Sequence, residues 1–257
     1  MTPFAALHVP GRPLLLPNAW DVASALLLAA EGFPAVGTTS LGITAAAGLP
    51  DGAGAGRGLT VALAGALVPR LGVPLSVDLE GGYAEEPVRV ADLVAELADL
   101  GVAGVNLEDG LPGGGLRPVQ QHAAIVRAAV EAAPALFVNA RTDTWWAGVP
   151  AAQEETLRRV AAYRDAGATG AFVPGLSEPG LVEAVVRAAA VPLNVLWSPS
   201  ADLGVLAAAG VARVSTGSAL YRVALAAAVA AAAGARDGVA PALPAVGYDA
   251  VQAIMLS

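Results

Sequence analysis

The chain of 257 residues contains neither cysteine nor lysine, and these two absences remove several kinds of chemistry. Without cysteine there is no disulfide framework, no thiolate metal site and no cysteine nucleophile. All 14 basic residues are arginine, so no lysine amine can form a Schiff base with a carbonyl substrate. Any catalysis must therefore use carboxylates, arginine, hydroxyl groups, the two histidines or a bound metal.

Positive charge and long apolar segments are also scarce. The net charge is −8 without a basic cluster, which argues against nucleic acid as a partner. The mean hydropathy is +0.62, but the longest charge-free segment, 32–50, is interrupted by glycine, threonine and serine, and the alanine-rich run 223–235 is shorter than the about 20 residues of a membrane span. The first residues show no basic segment followed by an apolar one. We therefore expect a cytoplasmic protein with no membrane partner.

Short apolar runs alternate with longer alanine-rich segments of helical spacing, which is typical of repeated β/α units. The eight predicted strands are residues 14–20, 34–40, 74–80, 104–109, 135–143, 170–176, 192–197 and 212–218. A helix is predicted at Pro87–Leu100, because apolar residues recur there at steps of three and four. The pattern predicts a single (β/α)8 TIM barrel over residues 1–257 with an additional C-terminal helix. Residues 238–257 would pack outside the barrel or on a neighbouring subunit.

Two glycine patterns bear on alternative folds. A Rossmann fold needs a glycine-rich junction after its first strand, and this chain has PNAWDVAS there. The GAGAGRG segment at 52–58 is similar to a phosphate-binding loop but follows no strand directly and lacks the Lys-Ser/Thr ending. We interpret it as a flexible loop over the barrel mouth, with phosphate binding as the alternative.

Three predicted strands end in carboxylates, and strand ends are where barrel enzymes carry their catalytic groups. Asp78 and Glu80 end the third strand, and side-chain alternation would point both into the barrel mouth. Glu108 and Asp109 end the fourth strand. Converging carboxylates without cysteine predict a magnesium site. The alternative is that these acids cap the following helices.

Arg141 stands near the end of the fifth strand, in the sequence Asn-Ala-Arg-Thr-Asp at 139–143. A guanidinium among carboxylates suits bidentate capture of a substrate carboxylate. The alternative interpretation is a buried structural ion pair.

Six segments resemble the isocitrate lyase/phosphoenolpyruvate mutase superfamily, and the resemblance covers nearly the whole chain. They are PNAWDVASA at 17–25, TSLGITAAAGLPD at 39–51, SVDLEGGY at 76–83, GVNLEDG at 104–110, NARTD at 139–143 and FVPGL at 172–176. The resemblance implies a homotetramer and a Mg²⁺ cofactor, with Mn²⁺ as a substitute.

The same resemblance implies roles for individual residues. The implied magnesium set is Asp78 as a direct ligand, with Asp51, Glu80 and Glu108 acting largely through waters. Glu80 replaces the aspartate usual in the family. Arg141 would stabilise an enolate, with Glu108 beside it in the catalytic group. The substrate-binding set is Thr39, Ser40, Leu41, Asp78, Arg141 and Asn194.

The loop at 108–118 departs from the family pattern. It has neither the Lys-Arg-Cys-Gly-His signature of the isocitrate and methylisocitrate lyases nor the lysine and asparagine of the phosphoenolpyruvate mutases. It therefore offers no obvious acid, and Tyr83 is our candidate proton donor. His122 is expected at the surface of a helix, with catalysis as the alternative. Trp145 and Trp146 are expected to wall the pocket or a subunit contact.

Three functions are consistent with the sequence. The leading hypothesis is a magnesium-dependent lyase, similar to 2-methylisocitrate lyase or oxaloacetate hydrolase, that cleaves or forms a carbon-carbon bond next to a small 2-oxo or 2-hydroxy acid. The first alternative is phosphorus-carbon chemistry, as in phosphonopyruvate hydrolase or phosphoenolpyruvate mutase. The second alternative is a barrel that binds a dicarboxylate without turning it over.

Overall fold

The computed structural model describes residues 2–239 and 245–256 and confirms the (β/α)8 barrel. The strands are β1 Leu14–Leu16, β2 Asn18–Ala19, β3 Val36–Thr38, β4 Leu75–Asp78, β5 Gly104–Glu108, β6 Phe137–Arg141, β7 Gly170–Val173, β8 Leu193–Leu196 and β9 Arg213–Ser215. The helices are α1 Pro3–Ala6, α2 Val22–Ala30, α3 Ser40–Ala46, α4 Arg57–Leu67, α5 Pro87–Leu100, α6 Val119–Ala132, α7 Ala152–Asp165, α8 Pro179–Ala189, α9 Leu203–Ala208, α10 Ala219–Arg236 and α11 Tyr248–Leu256. Every predicted strand contains an observed one.

The first predicted strand is divided at Pro17 into β1 and β2, which pair with different neighbours. β1 pairs in parallel with β9, where Leu14 lies opposite Arg213. β2 pairs in parallel with β3, where Asn18 lies opposite Gly37. Proline has no N–H to donate to a neighbouring strand, but the Pro17 carbonyl still accepts the Gly37 N–H at 2.8 Å. The two halves together close the parallel sheet into a barrel.

Helix α5 shows why the β/α periodicity could be read from the sequence. Proline occupies its first turn, where an N–H has no helical partner. Gly101 follows its last residue with φ +97°, a left-handed conformation that ends the helix. The predicted bounds, Pro87–Leu100, are confirmed, and the face buried against the barrel consists of Val90, Leu93, Val94 and Leu97.

Most of the apolar core lies between strands and helices, and the barrel interior holds several buried polar side chains. Arg213 is fully buried and donates from Nη2 to Asn106 Oδ1 on the opposite side of the barrel, at 2.7 Å. Asn139 Nδ2 donates to the same oxygen at 2.8 Å. These hydrogen-bonded side chains lie inside the barrel, below the ionisable groups at its mouth.

The C-terminal helices lie outside the barrel and bury little surface. In α10 Tyr221 is the buried residue, and α11 has none. Among the described residues α10 is the one helix long and apolar enough to cross a membrane, judged by length and composition, although arginines stand near both its ends. The alanine-rich run 223–235 lies within α10, which is 18 residues long. The predicted tail 238–257 lies partly outside the described residues.

Candidate active site

The barrel mouth encloses a cavity of about 110 Å³ where the carboxyl ends of the strands meet. We call this the site cavity. It brings together six of the predicted site residues, which are Thr39, Ser40, Leu41, Asp51, Asp78 and Arg141. Parallel strands place their last residues at one edge, which explains why segments distant in sequence converge here.

Arg141, the last residue of β6, is held by two carboxylates. Its Nη1 lies 2.7 Å from Glu108 Oε2. Its Nε and Nη2 donate to the two oxygens of Asp143 at 2.6 and 3.2 Å. The guanidinium carbon also lies 5.4 Å from the centre of the Phe172 ring. Arg141 is therefore an ion-paired side chain that lines the site cavity, and its capture of a substrate carboxylate stays a prediction.

Burial controls the ionisation of these groups. Burial raises the pKa of Glu108 to about 8, against the opposing charge of Arg141. The pKa of Asp143 is raised for the same reason and is likewise opposed by Arg141. Burial lowers the pKa of Arg141, but Glu108 and Asp143 raise it further than burial lowers it. Arg141 thus stays charged between its two carboxylate partners.

Asp78 connects β4 to the segment that begins α3. The Ser40 N–H donates to Asp78 Oδ2 at 3.2 Å. The backbone N–H of Asp78 donates to the Thr38 hydroxyl at 3.0 Å. The predicted carboxylate-binding residues 39–41 thus lie directly beside the predicted metal ligand.

Glu80 lies at the barrel mouth as predicted, but strand alternation does not place it there. β4 ends at Asp78, and Glu80 has φ +50°, so strand alternation does not extend to it and the alternation argument is wrong. Glu80 Oε2 accepts the Gly54 N–H at 3.1 Å, while its buried Oε1 has no hydrogen-bond partner among the residues that the structure describes. Burial raises the pKa of Glu80, and Asp51 and Asp78 raise it further against the Gly54 hydrogen bond.

These oxygens fit a hard divalent cation. Asp51, Asp78 and Glu80 repel one another electrostatically, and in the described part of the chain no group donates a hydrogen bond to the buried Glu80 Oε1. Within residues 2–239 and 245–256 no three acidic or histidine side chains converge closely enough to form a metal site by themselves. A cation bound here would therefore complete its shell with water and substrate oxygens, as magnesium does.

Four of the predicted site residues do not line the site cavity, namely Glu80 and Glu108, described above, and Asn194 and Tyr83. Asn194 is buried in β8 opposite Arg213 and donates from Nδ2 to the Ser215 hydroxyl at 3.2 Å. The Tyr83 hydroxyl lies 3.0 Å from the Thr60 hydroxyl, and burial raises the pKa of this phenol well above its usual range. Their roles toward substrate stay predictions.

His122 is fully buried, so the expectation of a surface histidine is wrong. It lies on the inner face of α6, with its ring centre 4.8 Å from that of Tyr163. The two tryptophans separate: Trp145 is partly buried in the apolar cluster around β7 and β8, while Trp146 is 67% exposed and lines the site cavity.

A buried hub centred on Asp109 was missed by sequence reasoning. Asp109 Oδ2 accepts the Tyr163 hydroxyl at 2.6 Å and Arg159 Nη1 at 2.9 Å. Asp109 Oδ1 accepts the backbone N–H of Asp143 at 2.9 Å. The hub therefore fixes the backbone of Asp143, whose carboxylate binds Arg141. The four-residue spacing of Arg159 and Tyr163 on α7 was the available signal, but it does not reveal the partner.

The segment between β5 and α6 forms a short hairpin over the mouth. Gly110 and Leu116 form an antiparallel bridge, and the tip residues Gly113, Gly114 and Gly115 all have positive φ. Beneath the hairpin lies a second cavity of about 360 Å³, the loop cavity, which shares Asp51, Arg141 and Trp146 with the site cavity. The 52–58 glycine segment borders the loop cavity through Gly52.

A closed parallel barrel with ionisable groups gathered at one mouth places the chain among the (β/α)8-barrel enzymes. A family model described as phosphoenolpyruvate phosphomutase matches residues 4–236, and the chain belongs to this family. The resemblance to the isocitrate lyase/phosphoenolpyruvate mutase superfamily is thus confirmed, and this superfamily contains both lyases and phosphomutases.

Individual relatives support the same assignment. The chain is 46% identical over 235 residues to an uncharacterised protein of Mycobacterium tuberculosis, covering 91% of this chain and 89% of that one. It is 32% identical over 171 residues to the 2-methylisocitrate lyase of Bacillus subtilis, covering 63% of this chain and 56% of the lyase. The structure of oxaloacetate acetylhydrolase in complex with its product oxalate aligns with a TM-score of 0.86 and 25% identity, covering 98% and 92% of the two chains.

Proposed function

We propose that the protein is a magnesium-dependent lyase that cleaves or forms a carbon-carbon bond next to a small 2-oxo or 2-hydroxy acid. The observation that carries the proposal is the convergence of Ser40, Asp78 and Arg141 on one small cavity. Similarity to a 2-methylisocitrate lyase and to an oxaloacetate acetylhydrolase supports carbon-carbon chemistry.

The carboxylates of the mouth would hold Mg²⁺, or Mn²⁺ in its place. Asp78 would ligate it directly, while Asp51, Glu80 and Glu108 would act largely through waters. When bound, the cation acts as a Lewis acid on the substrate oxygens. The backbone and hydroxyl groups of residues 39–41 would orient the substrate carboxylate beside Asp78.

Arg141 would stabilise the negative charge that develops on the enolate oxygen. Its planar fork is already aligned by Glu108 and Asp143, so little reorganisation is needed when charge develops. Glu108, whose pKa is raised by burial against the opposing charge of Arg141, would act beside it in the catalytic group.

Tyr83 would be the proton donor. Its raised pKa keeps the phenol protonated at neutral pH, so it would give up its proton only to a strong base such as an enolate. The hydrogen bond with the Thr60 hydroxyl holds the Tyr83 oxygen in place.

We further propose a cytoplasmic homotetramer without nucleic-acid or membrane partners. The exposed apolar side chains of α10, among them Val223 and Val229, would be covered by neighbouring subunits. The C-terminal segment that carries α11 would contribute to the same contact, since no residue of α11 is buried.

A substrate panel tests the reaction. Purified protein would be assayed with oxaloacetate, 2-methylisocitrate and phosphonopyruvate, with magnesium and with a chelator. Magnesium-dependent turnover of either of the first two acids is expected. Turnover of phosphonopyruvate alone would favour phosphorus-carbon chemistry, and tight oxalate binding without any turnover would favour a non-catalytic binding protein.

A further inference from the structure

Arg117 is a buried arginine at the end of the hairpin over the mouth. It is 8% exposed. Its backbone N–H donates to the Asp109 carbonyl at 2.7 Å, and its own carbonyl accepts from Arg159 Nη1 at 2.9 Å. The backbone of Arg117 is therefore fixed by the buried hub, although the glycine tip of the hairpin lies only two residues before it in the chain.

The guanidinium of Arg117 is much less paired than that of Arg141. It makes one hydrogen bond, from Nη1 to the Gly81 carbonyl at 3.2 Å, and no salt bridge in the part of the chain that the structure describes. Burial lowers its pKa, while Glu85 and Asp109 favour its charged form from beyond salt-bridge distance. An arginine has five N–H donors, so this one keeps several for a ligand.

The Arg117 side chain lines a cavity of about 200 Å³, the Arg117 cavity, together with Glu80, Tyr83 and Glu108. The Arg117 cavity shares Glu108 and Gly110 with the loop cavity. The loop cavity in turn shares Asp51 and Arg141 with the site cavity. The three cavities therefore adjoin one another beneath the hairpin, from Arg141 at one end to Arg117 at the other.

The carboxylates around this cavity have other partners. Glu108 is paired with Arg141 at 2.7 Å, and Glu80 accepts from Gly54 at 3.1 Å. Glu85 is exposed, where water screens its charge. A singly charged carboxylate would tolerate these neighbours better than a phosphonate dianion, because like charges repel more strongly as charge increases.

We propose that Arg117 binds the distal carboxylate of a 2-oxo diacid whose 2-oxo acid end lies at Asp78 and Arg141. This proposal rests on the proposed function and narrows its substrate class to diacids. Arg117 is then a specificity-determining residue. It is supplied by the same 108–118 loop that lacks the signature residues of the related lyases and mutases.

Calorimetry with matched ligands tests this proposal. In the presence of Mg²⁺, 2-oxo diacids of four, five and six carbons would be compared with the 2-oxo monoacids of equal length, and with oxalate, which lacks a distal arm. The wild type should bind one diacid at least about tenfold more tightly than its monoacid, a difference of about 1.4 kcal/mol. Arg117→Met should remove this preference and leave the affinity for oxalate unchanged.

Two further variants serve as controls for the calorimetry. Arg89→Met removes an exposed arginine of α5 and should keep the diacid preference. Arg117→Lys keeps the charge and should keep part of the preference, and it also serves if the methionine variant does not fold.

The outcomes separate the two proposals. A wild type without diacid preference, or a preference that survives in folded Arg117→Met, overturns the role of Arg117. A variant that loses only phosphonopyruvate binding overturns it as well. Failure of oxalate to bind with Mg²⁺ would instead count against the proposed function, while an Arg117-dependent diacid preference would still stand.

Discussion

Arg141 and Asp143 are joined by two hydrogen bonds, of 2.6 and 3.2 Å, although only one residue separates them in the chain. β6 ends at Arg141, so the chain can turn and place the Asp143 carboxylate against the guanidinium edge. This leaves Nη1 for Glu108. The orientation of the arginine is thus set largely by its own loop.

Arg141→Lys keeps the charge but loses the planar fork, so the contacts to Glu108 and Asp143 cannot all be kept. We expect turnover to fall about 100- to 1,000-fold, as for loss of one oxyanion donor. Turnover and melting temperature would be measured on the same preparation. Arg158→Lys is the matched control, because Arg158 makes a similar fork with Glu155 at the surface. Near-normal turnover by a folded Arg141→Lys protein would exclude Arg141 from the mechanism.

Asp78→Ala should abolish Mg²⁺ binding while leaving the fold intact. Loss of an outer partner of a metal site typically costs about 10- to 100-fold in affinity, and loss of a direct ligand should cost more. Titration calorimetry with Mg²⁺ and circular dichroism would be compared for this variant and for Asp99→Ala, which removes an exposed carboxylate of α5. Unchanged Mg²⁺ affinity in Asp78→Ala would show that the metal site is wrongly placed.

Asp109→Ala should destabilise the protein by about 3–5 kcal/mol, because it leaves the buried Arg159 without that carboxylate. Tyr163→Phe removes one hydrogen bond of the same hub and should cost about 1 kcal/mol. Urea unfolding of both variants gives the two free energies. Similar losses in both would contradict the view that the buried charge dominates the hub.

His122 should make the fold sensitive to acid. Burial lowers its pKa from 6.5 to about 4, against the opposing charge of Asp109. Between these two pH values the unfolded chain binds a proton that the folded chain does not. The stability contribution is therefore full above pH 6.5 and is lost as the pH falls to about 4, by at most about 3 kcal/mol.

His122→Phe keeps an aromatic ring against Tyr163 and cannot titrate. Its free energy of unfolding should fall less steeply than that of the wild type between pH 6.5 and 4. Urea unfolding at several pH values measures the difference in slope. Parallel slopes for the two proteins would mean that the pKa of His122 is the same in the folded and unfolded chains.

Val229→Asp should break the proposed tetramer, because Val229 is 70% exposed on α10 and would be buried between subunits. Val88→Asp is the matched control, since Val88 is 65% exposed on α5. Analytical ultracentrifugation at micromolar concentration should show a tetramer for the wild type and the control and smaller species for Val229→Asp. A monomeric wild type would refute the assembly.

The sequence allowed the barrel to be predicted because its signals are local. The Pro87–Leu100 helix has a proline at its start, glycine after its end and an apolar stripe between them. Arg141, Asp78 and Glu108 were found for the same reason, since each stands at the end of an apolar strand.

What the sequence did not reveal depends on contacts between distant segments. The Asp109 hub joins residues about 50 positions apart. The burial of His122 depends on the packing of α6 and α7. The position of Glu80 at the mouth was predicted, but its left-handed backbone could not be read from strand alternation. The burial and contacts of Arg117 could not be predicted, because they arise only when the hairpin lies beside Gly81.

The division of the first strand at Pro17 has a consequence for synthesis of the chain. β1 pairs with β9, and the Asn18 N–H donates to the Thr216 hydroxyl at 2.9 Å, across 198 positions. During synthesis, β1 therefore emerges from the ribosome long before β9, and the barrel can close only after β9 has been made. Any sheet that the growing chain forms before residue 216 emerges therefore has two unpaired edges, to which a chaperone or another nascent chain can bind.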